Sequence, residues 1–534
     1  MMGWLRGSRG TDVRLARSGA VAVAAMALGL SLWPAVSAAQ STGGDHRDGG
    51  RRAAVAWAGF AGNAQHMATA RRRPQPFRRI RWTAKVDLAP DVRFGGLPVH
   101  YGSPMITAAN TVVVPTRLSA KAGFRVVAYA GRSGARRWSL NTDYRPPAFT
   151  GGTGAWTPPL PAVLTPRATL AVAGAGGTVL IRRHADMAGG AVRRRVFYGA
   201  DRWRAHRSAY DEAVQITTPL TAGSDGSLYF GFTVTGPTPA HLSSGIARID
   251  RHGHATWITA AAAAGNSTVD GVAMNCAPAL SPSGATVYIT VTSPTRGILV
   301  GLDAATLKPR FHVTLKDPTS GQPAFISDSS SASPTVAPDG DVYYGVLENP
   351  FPNHDDRGWL LHYDATLTRT KTPGSFGWDN TASVLPARSV PGYHGTSPYL
   401  LISKYNNYLG IGPHGNGRNR VAVLDPRVSQ TDPYASTRVM KAVQTVLAPM
   451  HEPGTPARAR YEWCINSAVV DPADGSVIVN SEDGTLYRWD LARNTLAEKI
   501  HLNRPRPEAY TPTLIGPDGT VYAINNATLY AVGR

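Results

Sequence analysis

Carboxylates stand beside tryptophans and amides at two points of this chain, and such side chains could bind a ligand or a metal. The first cluster is Trp378-Asp379-Asn380 and the second is Glu462-Trp463. Carboxylate and amide oxygens are the ligands that Ca²⁺ prefers, so Asp379, Asn380 and Glu462 are candidate metal ligands. Asp379 and Glu462 are also the candidate catalytic residues, because a carboxylate can act as a base. Aromatic rings beside carboxylates equally suit sugars or cationic ligands.

A repeat along the chain indicates which elements position these clusters. Each unit has a short apolar stretch, a turn centred on Gly and alternating residues that end in Val/Leu-Tyr, as in "PTVAPDGDVYYGV". An Asp-Gly or Ser-Gly turn between apolar runs predicts a hairpin, and the alternation buries one face of each strand. The units begin at Pro104, Pro161, Pro219, Pro278, Pro334, Ser467 and Pro512, with a degenerate copy near Ser383.

Most units continue into a third and a fourth strand, the fourth often marked by an aromatic residue such as Trp138 or Trp257. Four antiparallel strands repeated about eight times predict an all-β fold, a single β-propeller of eight four-stranded blades. Seven blades remain open if the unit near Ser383 merges with its neighbour. The 55 Gly and 41 Pro fit this turn-rich architecture. We expect the Ala-rich piece Ala260–Ala264 to be a loop.

The last unit contains only three strands, so one strand of the final blade must come from elsewhere. The segment "RRIRWTAKVDL" precedes the first full unit and carries Trp82 at the position of Trp138 and Trp257. We expect this N-terminal strand to complete the C-terminal blade and close the ring, because closure removes two exposed sheet edges. The propeller then occupies residues 79–534.

Residues just before each innermost strand should gather around the central channel of such a ring and form a funnel. Turn capping by Asp379, Asn380 and Asn466 is the alternative, with the Trp residues plugging the channel. Cys276 and Cys464 share one repeat position in different blades, so a disulfide and two unpaired thiols are both open. The ligand-binding candidates are His100, Tyr101, Trp156, Asn275, Asp328, Trp378, Asn380, Trp463, Asn466, Glu508 and Tyr510.

Two insertions offer further polar residues. The segment "ENPFPNHDDRGW" contains His354, Asp355 and Asp356, and we expect a solvated loop there in preference to a ligand or metal lip. The Gly- and Asn-rich segment "SKYNNYLGIGPHGNGRNR" has no carboxylate, which makes Ca²⁺ binding there improbable. We expect it to be a polar binding loop or a plain turn.

The N-terminus predicts export. Arginines precede an apolar run and the small residues "AVSAAQ", which is typical of a Sec-type signal peptide over residues 1–39, cut near Ala38 or Ala39. Residues 40–78 form a basic lead-in arm that we expect to be partly disordered. The mature protein should be secreted, without a transmembrane anchor, and monomeric.

The formal net charge of +20 would attract anionic partners such as wall polymers or lipid headgroups. A plain compositional bias toward Arg is the alternative. The chain shows no recognised DNA- or RNA-binding motif, so nucleic acid is not an expected partner.

The units resemble the pyrroloquinoline-quinone (PQQ) type propeller repeat of the quinoprotein alcohol dehydrogenase-like superfamily. The resemblance rests on "VGLDAATLKPRF", with Leu307 where Gly is usual, and on the lead-in "AWAGFAGNAQHMATA". It implies the propeller fold. For members that oxidise alcohols it also implies PQQ stacked on a planar residue, here Trp378 or Trp463, with Ca²⁺ and a carboxylate base. A vicinal disulfide over the quinone is impossible, because the two cysteines are far apart in sequence.

The expected function is a ligand-binding or scaffold propeller that uses its funnel to hold a small molecule or metal, or that contacts an envelope polymer or protein. A PQQ- and Ca²⁺-dependent oxidoreductase is one alternative, and a polysaccharide lyase or hydrolase is another. Neither Ca²⁺ nor PQQ is required by the sequence. The chain has no Gly-x-Ser-x-Gly, His-Glu-x-x-His or Cys-x-x-Cys motif, so binding is expected rather than catalysis.

Overall fold

Eight antiparallel sheets follow one another around a ring in the computed structural model of the chain. The structure describes residues 54–90, 101–119, 123–147, 159–293, 296–326, 332–463, 465–505 and 512–534. This architecture confirms the predicted eight-bladed β-propeller. The proposed signal peptide lies outside the described residues, as does the first part of the lead-in arm.

Two strands precede the first full blade, and four blades follow them. The two are β1 (Val55–Trp57) and β2 (Arg79–Lys85). Blade 1 contains β3 (Met105–Thr107), β4 (Thr111–Ser119), β5 (Gly123–Ala130) and β6 (Arg136–Thr142). Blade 2 contains β7 (Ala162–Leu164), β8 (Leu170–Ala173), β9 (Thr178–Arg182) and β10 (Val192–Val196). Blade 3 contains β11 (Val214–Ile216), β12 (Thr221–Ala222), β13 (Leu228–Val234), β14 (Gly245–Ile249) and β15 (Ala255–Thr259). Blade 4 contains β16 (Gly271–Val272), β17 (Ala279–Leu280), β18 (Thr286–Ser293), β19 (Arg296–Asp303) and β20 (Pro309–Thr314).

Four more blades complete the ring. Blade 5 contains β21 (Thr335–Val336), β22 (Val342–Val346) and β23 (Trp359–Tyr363). Blade 6 contains β24 (Ser383–Pro386), β25 (Tyr399–Lys404), β26 (Arg420–Thr431) and β27 (Arg438–Leu447). Blade 7 contains β28 (Val469–Asp471), β29 (Ser476–Asn480), β30 (Thr485–Asp490) and β31 (Thr495–His501). Blade 8 contains β32 (Leu514–Ile515), β33 (Val521–Asn525), β34 (Thr528–Gly533) and the early strand β2.

Several blades depart from four strands. In blades 3 and 4 the innermost strand is split into two short pieces. Both pieces pair with the next strand outward, β13 in blade 3 and β18 in blade 4. Blade 1 gains β1 on its inner edge. Blade 5 has three described strands, and single bridges from Leu360 to Gly374 and from Tyr363 to Thr370 take the place of its fourth. The unit near Ser383 forms a blade of its own, which settles the count at eight.

The ring closes as predicted, because β2 pairs antiparallel with β34. The Trp82 indole N–H donates to the Gly131 carbonyl oxygen in blade 1 at 2.8 Å. Trp138 makes the equivalent bond one blade further on, to the Ala185 carbonyl oxygen at 2.8 Å. The tryptophan of an outer strand thus fastens its blade to a turn of the next blade.

The repeated tyrosine has a similar role nearer the axis. Tyr229 Oη donates to the Ala304 carbonyl oxygen at 2.9 Å, and Tyr288 Oη donates to the Ala365 carbonyl oxygen at 2.7 Å. Each bond joins the strand next to the innermost one, β13 or β18, to a turn of the following blade. The Val/Leu-Tyr ending of the repeat therefore serves contact between blades, in addition to packing within a blade.

Residues 54–77 run across the inner edges of the blades. Backbone carbonyls of Ala58, Ala64, Gln65, Met67 and Ala68 accept N–H groups from the innermost strands of blades 2, 4, 5, 6 and 7. Blade 1 pairs with β1, and a turn of blade 8 accepts the Gln75 N–H at 2.7 Å. The segment occupies strand edges that would otherwise leave N–H groups unpaired in the interior.

In the described part of the chain, three short α-helices interrupt the strands. They are α1 (Ala200–Ala205), α2 (Arg207–Ala213) and α3 (Ala260–Ala264). The expectation of a loop at the third was wrong: Thr259 Oγ1 accepts the Ala262 N–H as an N-cap, and Gly265 ends the helix at φ +60°. No helix among the described residues is long and apolar enough to cross a membrane.

Candidate ligand-binding site

An axial cavity opens on the face of the ring where the innermost strands begin. We call this the mouth face; Tyr101, Asn275, Asp379 and Asn466 each precede an innermost strand there. The cavity holds about 30 Å³ of space that water can enter, and it opens to solvent. Tyr101, Asn275 and Asn466 line it, so the structure brings these three candidates together. Phe60 of the lead-in segment also lines the cavity, and nothing in the repeat pattern indicated it.

Several sequence candidates cannot be placed. They fall outside the described residues, and their roles stay predictions. These residues are His100, Trp156, Asp328, Cys464, Glu508 and Tyr510.

Asp379 is buried on the mouth face and forms an ion pair with Lys404, the last residue of β25. The Lys404 side chain is 1% exposed, and its Nζ lies 5.4 Å from the centre of the Phe376 ring. The Asn380 side chain donates to Ser403 Oγ at 3.1 Å and accepts the Lys404 N–H at 3.2 Å. Asp379 and Asn380 therefore hold the end of β25 in place through an ion pair and two hydrogen bonds.

Three more carboxylates surround this ion pair. Asp356 and Glu462 are half-buried, and Glu348 is buried. Burial and the charges of Glu348, Asp379 and Glu462 raise the pKa of Asp356 well above its usual range. Burial raises the pKa of Glu462 to about 7, against the attraction of Lys404. Three of these carboxylates, Asp356, Asp379 and Glu462, thus share Lys404, and burial favours the protonated forms of Asp356 and Glu462.

Burial also raises the pKa values of the two remaining carboxyls. For Asp379 the Lys404 ammonium opposes the rise. For Glu348 the rise in pKa is opposed by hydrogen bonds that its carboxylate accepts from the N–H groups of Asp356 and Gly358, each at 2.8 Å. We call Glu348, Asp356, Asp379 and Glu462 with Lys404 the acidic cluster.

The loop that carries Asp356 is packed, so the expectation of a solvated loop was wrong. His354, Asp355 and Arg357 are buried. The Arg357 guanidinium lies 4.6 Å and 4.4 Å from the ring centres of Tyr405 and Tyr434, and it donates to the Ser375 carbonyl oxygen at 2.7 Å. These contacts of the Arg357 guanidinium with aromatic rings and carbonyl oxygens hold the loop in place beside the acidic cluster.

The same loop is held by its histidine. The His354 ring stacks on Trp359 with 3.8 Å between ring centres and 4° between planes. Its Nδ1 lies 3.0 Å from the Gly358 carbonyl oxygen, and its Nε2 lies 3.4 Å from Asp432 Oδ2. Both ring nitrogens therefore lie close to acceptor oxygens.

The two tryptophans of the sequence clusters differ in exposure. Trp463 is fully buried in the core and meets Tyr487 edge to face, with 5.6 Å between ring centres. Trp378 is half-buried beside Asp379. Of these two tryptophans, Trp378 alone therefore offers a partly exposed ring.

Cys276, one of the two cysteines, is a buried free thiol, and burial raises its pKa to about 11.

Two dehydrogenases are among the solved structures that the chain resembles. A europium-containing methanol dehydrogenase matches with a TM-score of 0.52 and 10% identity, over 88% of this chain and 89% of that chain. A quinohemoprotein alcohol dehydrogenase from Comamonas testosteroni matches with a TM-score of 0.50 and 12% identity, over 90% of this chain and 81% of that chain. No protein-family model and no curated protein sequence matches the chain. The likeness confirms the predicted propeller fold.

PQQ itself does not fit the described residues. It is a planar quinone with three carboxylic acid groups, yet none of the described side chains lining the axial cavity carries a charge. Burying anionic groups against an uncharged wall is costly. Trp463 is buried in the core, and no group of three or more His, Cys, Asp or Glu in the described part of the chain is placed to hold a metal ion. No catalytic step through a quinone follows from these residues.

Proposed function

We propose that this chain is a binding propeller and that its acidic cluster takes a small organic cation on the mouth face. The observation that carries the proposal is the excess of carboxylates: Asp356, Asp379 and Glu462 share the buried Lys404, and Glu348 acts on Asp356 as a further negative charge. The whole chain is strongly basic, so this local excess of acid is not a consequence of composition.

Raised pKa values support a cation as the ligand. Burial and repulsion from neighbouring carboxylates raise the pKa values of Asp356 and Glu462, and a bound positive charge would lower both pKa values. Such a charge would favour the ionised carboxylates, which could then form ion pairs with it. Trp378 adds a partly open ring next to Asp379, which suits the cation–π contact that ammonium groups make.

Calorimetric titration of the mature protein with choline and spermidine, and with a neutral sugar for comparison, tests this proposal. We expect an organic cation to bind and the neutral sugar not to bind. Glu462→Gln removes one charge at the half-buried edge of the cluster and should weaken cation binding about tenfold. Glu212→Gln, on an exposed carboxylate of α2, is the matched control and should leave the affinity unchanged.

Two outcomes would refute the proposal. One is the absence of binding by both cations. The other is an equal loss of affinity in Glu462→Gln and Glu212→Gln, which would reflect net charge and not a site.

A second candidate function, polysaccharide hydrolysis or elimination, is favoured by one observation. Glu462, with a pKa of about 7, could act as a general acid while Asp379 is held beside Lys404 as an ionised partner; carboxyl groups in contrasting environments are typical of such catalysis. Release of reducing ends or unsaturated products from soluble polysaccharides would support it. Equal release by the wild type and Glu462→Gln would refute it.

A further inference from the structure

The charge of the chain is concentrated in one arc of the ring. Residues 71–213 contain 24 Lys and Arg against 7 Asp and Glu, whereas residues 214–534 contain 24 against 25. The first range forms β2, blades 1 and 2, and helices α1 and α2, and we call it the basic arc. Because β2 belongs to blade 8, which adjoins blade 1, the basic arc is continuous on the ring. A uniform compositional bias toward Arg would not leave the remaining blades neutral.

Arginines of the basic arc stand on the outermost strands. β2, β6 and β10 contain the runs "RIRW", "RRW" and "VRRRV". The outermost strand β15 of blade 3, by contrast, has no charged residue. The outer rim of three neighbouring blades therefore carries the excess positive charge.

Much of this charge is not neutralised within the protein. Some of the described acidic residues of the basic arc already pair with its arginines: Asp143 pairs with Arg194 and Arg207, and Asp201 pairs with Arg204. Eleven exposed arginines of the arc have side chains that make no hydrogen bond or ion pair with another described residue. These are Arg71, Arg72, Arg78, Arg79, Arg132, Arg136, Arg145, Arg167, Arg183, Arg193 and Arg202.

Exposed apolar side chains also occur within the basic arc. The described residues include five large hydrophobic side chains that are exposed, and three belong to the basic arc: Leu88 at 49%, Met187 at 58% and Val192 at 43%. Met187 lies in the loop between β9 and β10, with Arg183 before it and Arg193 after it. Exposed apolar residues flanked by cations are the pattern of proteins that lie on anionic lipid.

The Met187 loop is held in one conformation by a buried arginine. The Arg182 guanidinium donates to the carbonyl oxygens of His184 at 2.9 Å, Met187 at 2.7 Å and Ala188 at 3.0 Å. It also stacks over the Trp138 ring at 3.7 Å. An ordered loop that presents a methionine between cations loses little conformational freedom on binding.

We propose that the basic arc docks on the surface of a bilayer that contains anionic phospholipid. The guanidinium groups bind lipid phosphates, for which their fork of donors is suited. Met187 enters the headgroup region beside them. The same arginines would attract a soluble anionic polymer. Binding to such a polymer does not explain why an ordered apolar side chain lies between them.

Co-sedimentation of the mature protein with phosphatidylcholine vesicles, with and without phosphatidylglycerol, tests the proposal. Binding should require phosphatidylglycerol and weaken as salt is raised. The variant Arg136→Gln/Arg183→Gln/Arg193→Gln should bind about one hundredfold more weakly, since each charge near an anionic surface contributes roughly fivefold. The control Arg296→Gln/Arg388→Gln/Arg418→Gln removes the same charge from exposed positions outside the basic arc and should retain most binding.

Met187→Gln separates a membrane from a polymer. It should weaken vesicle binding about fivefold through lost apolar burial and leave binding to inorganic polyphosphate unchanged. Binding to polyphosphate without binding to vesicles would overturn the proposal. Equal losses in the two triple variants would overturn it as well, because the position of the charges would then not matter.

Discussion

Replacing Lys404 by Met tests whether the acidic cluster is held together by its one lysine. The Lys404 side chain is 1% exposed and pairs with the buried Asp379 carboxylate. Breaking a buried ion pair from one side leaves an unpaired charge, which costs about 3–5 kcal/mol. We expect Lys404→Met to lower the free energy of unfolding by that amount above neutral pH. Lys404→Met/Asp379→Asn should recover most of the loss, since neither charge is then stranded.

The variant should also change the pH dependence of stability. Burial already raises the folded-state pKa of Asp379 above its unfolded value, so the folded state binds an extra proton between the two values. Stability therefore falls as pH rises through that window, and loss of Lys404 extends the window upward. Urea unfolding followed by tryptophan fluorescence, at acidic pH and at a pH above neutral, measures both effects. A Lys404→Met protein as stable as the wild type above neutral pH would refute the reasoning, as would a double variant no more stable than the single ones.

Three further predictions follow from contacts elsewhere in the ring. Trp82→Ala should lower the free energy of unfolding by roughly 3 kcal/mol, because it removes the bond to Gly131 at the ring closure; an unchanged thermal midpoint would contradict this. His66 is buried in the lead-in segment, and burial lowers its pKa to about 4. The unfolded state therefore binds the extra proton, and stability should fall by about 3 kcal/mol as pH drops from 7 to 4. His66→Gln should flatten that slope in urea titrations, and an unaltered slope would assign the loss to other groups. Cys276, with a pKa of about 11, should not react with a thiol reagent near pH 8 until urea unfolds the chain; rapid reaction of a Cys464→Ser protein under native conditions would contradict its burial.

The propeller could be predicted from the sequence because its determinants are local and repeated. The Gly turn and the alternating residues before each Tyr indicate which strands pair within one unit. Trp82 indicates how the ring closes, because it occupies the same position in its strand as Trp138 does and makes the equivalent hydrogen bond. The course of residues 54–77 could not be predicted in this way. Their contacts with the inner edges use backbone carbonyls, which every residue type provides equally.

The candidate site was predicted only in part, for a similar reason. Asp379 and Glu462 were found because a carboxylate beside tryptophan is visible in one short stretch. Lys404 was missed, although a lysine that ends the apolar strand "YLLISK" was a possible signal. The burial of Arg357 depends on Tyr405 and Tyr434, which lie far along the chain, so a polar loop composition was misleading there.

The central claim is that the acidic cluster binds a small organic cation, and the pH dependence of that binding tests it most directly. Glu462 has a pKa of about 7, so it is mostly neutral near pH 6 and mostly ionised near pH 8. Calorimetric titration with choline should therefore show an affinity that rises about tenfold over this range, and Glu462→Gln should abolish the rise. An affinity that stays constant or falls with pH in the wild type, or a rise that persists in Glu462→Gln, would contradict the claim.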